Sequence, residues 1–126
     1  MRRTLWTAAV AAWTLIVLGL GHTVVGLVRF KKPLAEATRA GFVGQFAGYP
    51  DRSAAFWFLI FGPLLLMGGH MAVHAASAAD RELLKIIGFY LLAISAVGSL
   101  AQPTSPFWAG LVSALILIGA GYGWIS

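Results

Sequence analysis

Four long runs with little or no charge constrain what this chain can fold into. They cover residues 5–28, 54–79, 83–101 and 106–125, and they hold 24, 26, 19 and 20 residues. At about 1.5 Å rise per residue, each run as a helix approaches or exceeds the roughly 30 Å hydrocarbon core of a bilayer. Strands of a membrane barrel would alternate polar and apolar residues, and residues 56–67 do not. The sequence therefore predicts an all-α membrane protein with four transmembrane helices in a single domain.

Composition agrees with a membrane protein. Hydrophobic residues make up 60% of the 126 residues and charged residues 10%, whereas soluble domains have about 45–50% and about 25%. The basic residues flank the apolar runs, as the positive-inside bias and anionic lipid headgroups favour. We therefore expect a multi-pass protein of the cell membrane with lipids as partners and no nucleic acid. The absence of cysteine excludes disulfides and thiolate metal ligands.

The first run has an alternative interpretation as a cleaved signal peptide, because Arg2 and Arg3 precede it. It is longer than the usual apolar region of about 7–15 residues, and no small-x-small cleavage site ends it. Arg29, Lys31 and Lys32 then follow as a stop-transfer flank would. We interpret this run as a helix of the mature protein.

The charges leave the orientation in the membrane open. In a four-span protein, both chain ends and the connection near residue 80 lie on one side, and the segment 29–53 lies on the other. The first side carries four basic residues, Arg2, Arg3, Arg81 and Lys85, and the second carries five, Arg29, Lys31, Lys32, Arg39 and Arg52. A difference of one does not select an orientation.

The segment 29–53 is too long for a simple turn and contains a helix start. Pro33 suits a first helical position, and Glu36 supplies an acid in the first turn. Leu34, Phe42 and Phe46 are expected to face lipid, and Glu36 and Arg39 are expected to face water. This arrangement is typical of a helix lying in the membrane interface. We predict a short interfacial helix between the first and second spans.

The other connections are short, so successive spans are expected to be antiparallel neighbours in a four-helix bundle. Helices in lipid associate through small residues that permit close approach. Three runs carry such candidates, namely Gly19, Thr23 and Gly26, then Ala96 and Ser99, then Gly119 and Gly123. The last pair matches GxxxG, and both an intramolecular seam and a homo-oligomer seam stay open. Pro63 is expected to kink the second span because it lacks an amide donor.

Histidines are the ionisable residues well inside the runs, where such residues indicate function by default. His22 and His70 are expected at depths that differ by roughly 15 Å, so they do not suit the two axial positions of one haem. His70 and His74 share a helix face at a metal-ligand spacing, but no third ligand lies near them within the span. We predict no metal and no cofactor.

The predicted site lies at the end of the bundle that His22 approaches. Because successive helices alternate in direction, this end also collects the connection 102–105 and the starts of the second and fourth spans. The predicted ligand-binding residues are His22, Trp57, Gln102, Thr104 and Trp108. An apolar wall with a few convergent polar groups suits an apolar small molecule such as a lipid or a quinone. The alternative is a purely structural hydrogen bond from His22 and a belt of interfacial aromatic residues.

Two other functions stay open from the sequence. One is a membrane-embedded isomerase or cyclase that acts on a lipophilic substrate, with His22 as the catalytic acid or base. The other is an accessory subunit that packs against a larger membrane complex through its glycine-rich fourth helix. The chain offers no acid, thiol or oriented nucleophile pair inside the spans to define a reaction.

Three short stretches resemble a family of small four-helix membrane proteins classed under a domain of unknown function. They are GHTVVG at 21–26, FWFL at 56–59 with Gly62 after it, and PTSPFW at 103–108. The resemblance implies a four-helix fold and interest in His22, Trp57 and Trp108, and it implies no activity. Small multidrug transporters are similar in length and span number, but their first span carries an acidic residue and this one has no Asp or Glu.

Overall fold

A computed structural model describes residues 4–126, and this part of the chain contains five α-helices and no strand. The helices are α1 (Trp6–Arg29), α2 (Lys31–Arg39), α3 (Pro50–Ser77), α4 (Arg81–Ala101) and α5 (Phe107–Gly121). The prediction of an all-α protein is confirmed. Arg2 and Arg3, which entered the comparison of basic residues on the two sides, lie outside the described residues.

Three helices are long and apolar enough to cross a membrane. These are α1, α3 and α4, with 24, 28 and 21 residues. The fifth helix is apolar but has 15 residues, about 22 Å at the usual rise, which is shorter than the hydrocarbon core. The structure thus indicates a membrane protein.

Among the described residues, the small side chains are buried and many large apolar side chains are exposed, which is the opposite of a soluble protein. Eleven of the sixteen buried hydrophobic residues are alanine, whereas large apolar side chains lie exposed along every long helix. Trp57 is 67% exposed and Tyr90 is 72% exposed, for example. Small residues let helices approach closely, and large apolar residues are the surface that lipid tails cover. Continuous apolar exposure of this extent is unusual for a soluble monomer.

The last helix ends four residues earlier than the apolar run that predicted it. Gly123 has φ +81°. The backbone amide of Trp124 donates to the carbonyl of Gly119, and the backbone amide of Gly123 donates to the carbonyl of Ala120. This pattern is a Schellman cap with glycine in the left-handed position. Gly119 and Gly123 therefore do not form a GxxxG pair on one helix face, because Gly123 lies beyond α5 and caps it.

The second predicted span also has different limits. The charged residues Asp51 and Arg52 suggested a start at residue 54, but α3 begins at Pro50. Proline suits the first helical position because its missing amide would have no partner there, and Asp51 lies near the positive end of the helix dipole. At the other end, Ala79 has φ +53° and Asp80 accepts the Leu83 amide, which joins α3 directly to α4.

The described chain divides into two compact units. The terminal unit contains residues 4–16 and 67–126, and the central unit contains residues 17–66. In the terminal unit, a Cβ on Gly88 of α4 would lie 2.7 Å from Cγ1 of Ile118 on α5, and one on Gly110 of α5 would lie 2.7 Å from Oγ of Ser95. The start of α4 therefore lies beside the end of α5, and glycines set the spacing of these two helices.

The central unit holds the second half of α1 against the first half of α3. A Cβ on Gly19 would lie 2.9 Å from Cγ of Leu66, and one on Gly26 would lie 2.7 Å from Cδ2 of Leu59. Between them, a Cβ on Gly62 would overlap Oγ1 of Thr23. Gly19, Thr23 and Gly26 thus form a helix–helix seam, and this prediction is confirmed.

Candidate functional site

His22 is a polar side chain of the central unit that bonds to a second helix. It is half-buried on α1, and its Nε2 lies 2.7 Å from the backbone carbonyl oxygen of Phe58 on α3. A carbonyl oxygen can only accept, so Nε2 carries the proton and donates it to this bond. The hydrogen bond therefore ties α1 to α3 through a defined imidazole tautomer.

The other ring nitrogen of His22, Nδ1, is an acceptor of hydrogen bonds rather than a donor. In the neutral imidazole with a proton on Nε2, Nδ1 keeps its lone pair and acts as an acceptor. Among residues 4–126, no group forms a hydrogen bond to Nδ1. The His22 ring thus offers a hydrogen-bond acceptor, or a base, that the described chain does not use.

Aromatic rings surround this imidazole. The ring of Phe58 stacks on it with a centroid distance of 3.9 Å and an interplanar angle of 16°, and the ring of Phe61 meets it edge-on at 5.3 Å. Phe30, at the end of α1, lies 5.3 Å from Phe58. We call His22, Phe30, Phe58 and Phe61 the imidazole cluster. An acceptor beside apolar rings suits a ligand that is mostly apolar and carries one polar group.

The seam beside His22 fixes the position of its carbonyl partner. Thr23 Oγ1 donates to the carbonyl of Gly19 on its own helix at 2.9 Å, so the Thr23 rotamer is defined. Gly62, which follows Phe58 by one turn, packs directly on Thr23. Pro63 comes next and supplies no amide, so the carbonyl of Leu59 loses its usual helical donor. The Phe58 carbonyl thus lies at the edge of a weakened turn of α3.

Trp57 belongs to the same unit but not to the imidazole cluster. Its indole meets the ring of Phe56 at 5.2 Å, and 67% of its surface is exposed. Such an exposed indole near the start of an apolar helix is typical of an interfacial anchor. Its predicted role in ligand binding stays a prediction.

The three remaining predicted site residues lie in the terminal unit. Gln102 is the C-cap residue of α4. Its backbone amide donates to the backbone carbonyl of Gly98 at 2.8 Å. Thr104 is exposed in the following turn. The indole nitrogen of Trp108 donates to the carbonyl of Pro103 at 2.8 Å, which closes this turn on the start of α5. A shared ligand for these residues and His22 stays a prediction.

The histidine pair on α3 is exposed. His70 and His74 both lie on the surface of the helix. Within residues 4–126 there is no group of three or more histidine, cysteine, aspartate or glutamate side chains close enough to hold a metal ion.

Sequence reasoning did not identify the acceptor of the His22 hydrogen bond. Every residue contributes a carbonyl, so the sequence carries no signal that selects Phe58. The spacing of Phe58 and Phe61, three residues apart and therefore on one helix face, could have indicated that both rings meet one partner.

A second cluster that the sequence did not predict lies in the terminal unit. The Arg81 guanidinium donates to the carbonyl of Ala120 near the end of α5, where helix carbonyls lack internal partners. Lys85 pairs with Glu82, and its ammonium lies 4.9 Å from the centre of the Tyr122 ring. These two cations are therefore occupied by groups of the chain itself.

Residues 6–123 match the family of unknown function DUF6463. The match covers nearly the whole chain, so the chain belongs to this family. Neither the comparison with curated proteins nor the comparison with solved structures found a match.

Proposed function

We propose that this member of DUF6463 is a multi-pass protein of the cell membrane that binds an apolar small molecule at the imidazole cluster. In this proposal α1, α3, α4 and α5 are four antiparallel spans, and α2 lies in the interface. The lengths and apolar surfaces of α1, α3 and α4 support the first three spans. The short α5 crosses where the bilayer thins locally beside it, because Trp124 and Ile125 fold back towards Gly119 after the cap and do not lengthen the helix.

The observation that carries the ligand proposal is the hydrogen-bonding state of His22. Its Nε2 is used by the Phe58 carbonyl, and its Nδ1 has no partner in the described chain. An acceptor in an apolar setting gains most from a ligand group that can donate. The ligand that fits is therefore an apolar molecule with a hydroxyl, such as a hydroquinone or a lipid alcohol, and the oxidised quinone fits less well.

A membrane-embedded isomerase or cyclase is the second candidate function. The same lone pair on Nδ1 is what a general base requires, and the bond to Phe58 holds the ring in one tautomer. The accessory-subunit alternative has less support, since Gly123 caps α5 and is not available as a helix seam.

A matched pair of small molecules tests the binding proposal. Decyl-hydroquinone, kept reduced, and the corresponding quinone share one skeleton, but only the first donates hydrogen bonds. We expect the reduced form to raise the melting temperature of the purified protein in detergent and to remain bound in native mass spectrometry. The quinone should do so weakly.

His22→Phe supplies the matched protein variant. Phenylalanine keeps a ring for stacking on Phe58 but removes both nitrogens, so the hydroquinone effect should disappear. Gly21→Ala is the control, because a Cβ at this neighbouring position would meet nothing within 4 Å. Equal stabilisation of wild type and His22→Phe by hydroquinone would refute the role of Nδ1. Substitution of Gln102 or Trp108 by Ala then tests whether these residues reach the same ligand.

A further inference from the structure

The basic residues of the central unit are concentrated where α1 meets α2. α2 follows α1 after one residue, and the backbone bonds of Phe30 to Gly26 and of Leu34 to Phe30, both 3.0 Å, continue across the junction. Lys31 and Lys32 therefore begin a new helix directly at the end of an apolar one. In a membrane protein, this is the depth at which lipid headgroups lie.

Among residues 4–126, no acidic side chain forms an ion pair with the cations of this junction. Residues 29–39 contain four basic residues, Arg29, Lys31, Lys32 and Arg39, and one acid, Glu36, which gives a formal charge of +3. All five side chains are exposed. Within residues 4–126 the ion pair present is Lys85 with Glu82, in the terminal unit. The positive field of the junction is therefore uncompensated by the described chain.

Two exposed apolar residues, Phe42 and Val43, follow these cations in the sequence, and we call them the apolar tip. α2 ends in a Schellman cap at Gly41, where φ is +106°, and the next residue, Phe42, is also left-handed with φ +68°. This turn leaves Phe42 57% exposed and Val43 86% exposed. A left-handed phenylalanine is costly, so the surroundings must hold it there.

A ladder of rings holds this turn. Phe42 meets Phe46 edge-on at 5.1 Å, and Phe46 meets Phe56 at the start of α3 at 5.7 Å. Arg52 adds a second tie, since its guanidinium donates to Gln45 and lies 4.0 Å from the centre of the Tyr49 ring. Arg52 is thus occupied, in contrast to Lys31 and Lys32.

We propose that residues 29–43, which we call the basic segment, form a binding surface for anionic phospholipids. Lys31, Lys32 and Arg39 contact lipid phosphates, and Phe42 and Val43 insert at the level of the headgroups. Charge complementarity selects an anionic lipid, and the adjacent apolar tip selects a lipid over a free polyanion. This proposal does not depend on a ligand at His22.

Titration of single lipids into the detergent-solubilised protein tests the proposal. Binding of the anionic lipid POPG and the zwitterionic lipid POPC is measured by native mass spectrometry. Wild type is expected to bind POPG more tightly than POPC. Lys31→Gln/Lys32→Gln should weaken POPG binding by about thirtyfold, on the usual contribution of two cations near an anionic surface, and leave POPC unchanged. Lys31→Arg/Lys32→Arg keeps the charges and should bind POPG like wild type.

Two further measurements keep the outcome clear. Val43→Ser should weaken both lipids similarly, because it removes apolar contact and no charge. Raising the salt concentration should weaken POPG binding to wild type but not POPC binding, a result that needs no variant. Equal affinity of wild type for both lipids, POPG binding unaffected by Lys31→Gln/Lys32→Gln, or inorganic phosphate binding as tightly as POPG would each overturn the proposal.

Discussion

Substitution of Gly62 by alanine should break the contact that holds α1 against α3 beside His22. The added Cβ would overlap Thr23 Oγ1 and would lie 3.3 Å from Thr23 Cβ and 3.4 Å from the carbonyl oxygen of Gly19. Thr23 can turn its hydroxyl away only by giving up its bond to Gly19. The 3.3 Å contact with Thr23 Cβ is tight in any rotamer of Thr23, so the helices must also separate slightly.

The magnitude follows from a matched glycine on the same helix. At Gly68 of α3, an added Cβ would meet nothing within 4 Å. Alanine gains about 0.8–1.0 kcal/mol of helix propensity at Gly68 but less at Gly62, which precedes Pro63, so the rescue by Thr23→Ala described below is what isolates the overpacking. Overpacking of a close contact costs about 1–3 kcal/mol. Gly62→Ala should therefore be less stable than Gly68→Ala by about 1–3 kcal/mol.

The assay is unfolding in mixed micelles with increasing SDS, followed by tryptophan fluorescence. A second substitution identifies the responsible atom. Thr23→Ala removes Oγ1 and should recover most of the stability lost in Gly62→Ala, whereas Thr23→Ser keeps Oγ1 and should recover little. Equal stability of Gly62→Ala and Gly68→Ala would refute the seam. Equal rescue by Thr23→Ala and Thr23→Ser would refute the role of the hydroxyl.

Two further predictions concern left-handed residues at helix ends. Ala79→Gly should stabilise the protein by about 0.5–1 kcal/mol in the same SDS titration, because Ala79 has φ +53° and glycine adopts this conformation without strain. A loss of stability would contradict the left-handed conformation of Ala79. Gly123→Ala should destabilise by about 1 kcal/mol as the cap of α5, whereas Gly119→Ala, whose Cβ would make ordinary contacts of 3.4 Å or more, should be tolerated. If both variants instead dissociate an oligomer, the pair is a seam between copies.

The sequence predicted the long helices well because a membrane-spanning helix requires a long run of apolar residues, and such a run is visible in the sequence. It located three long apolar helices and the short helix near Pro33, and it selected Gly19, Thr23 and Gly26 as seam residues. Helix ends were less accurate because they depend on backbone groups. The apolar run continues to Ile125, yet α5 stops at Gly121 because the amides of Gly123 and Trp124 close a cap that hydropathy does not describe.

The site was harder to predict for a related reason. The sequence identified His22 as the residue to examine, but the hydrogen-bond acceptor at Phe58 is a backbone group and has no signature. Trp57 was predicted at the site because the second span starts at the end of the bundle that His22 approaches, and the structure leaves it mostly exposed beside Phe56. Whether a neighbouring residue points inward depends on the rotation of α3, which one residue changes by about 100°.

The seam and the imidazole cluster share the same turn of α3, and this connects stability to the proposed function. Gly62 lies one turn after Phe58, and it determines how closely α3 approaches Thr23, the residue next to His22. Any change that separates the helices at Gly62 also lengthens the bond from His22 to Phe58, now 2.7 Å. Once that bond is lost, either ring nitrogen can carry the proton, so the acceptor at Nδ1 is no longer guaranteed. Gly62→Ala should therefore weaken hydroquinone binding through the altered helix spacing, and Thr23→Ala should restore binding together with stability.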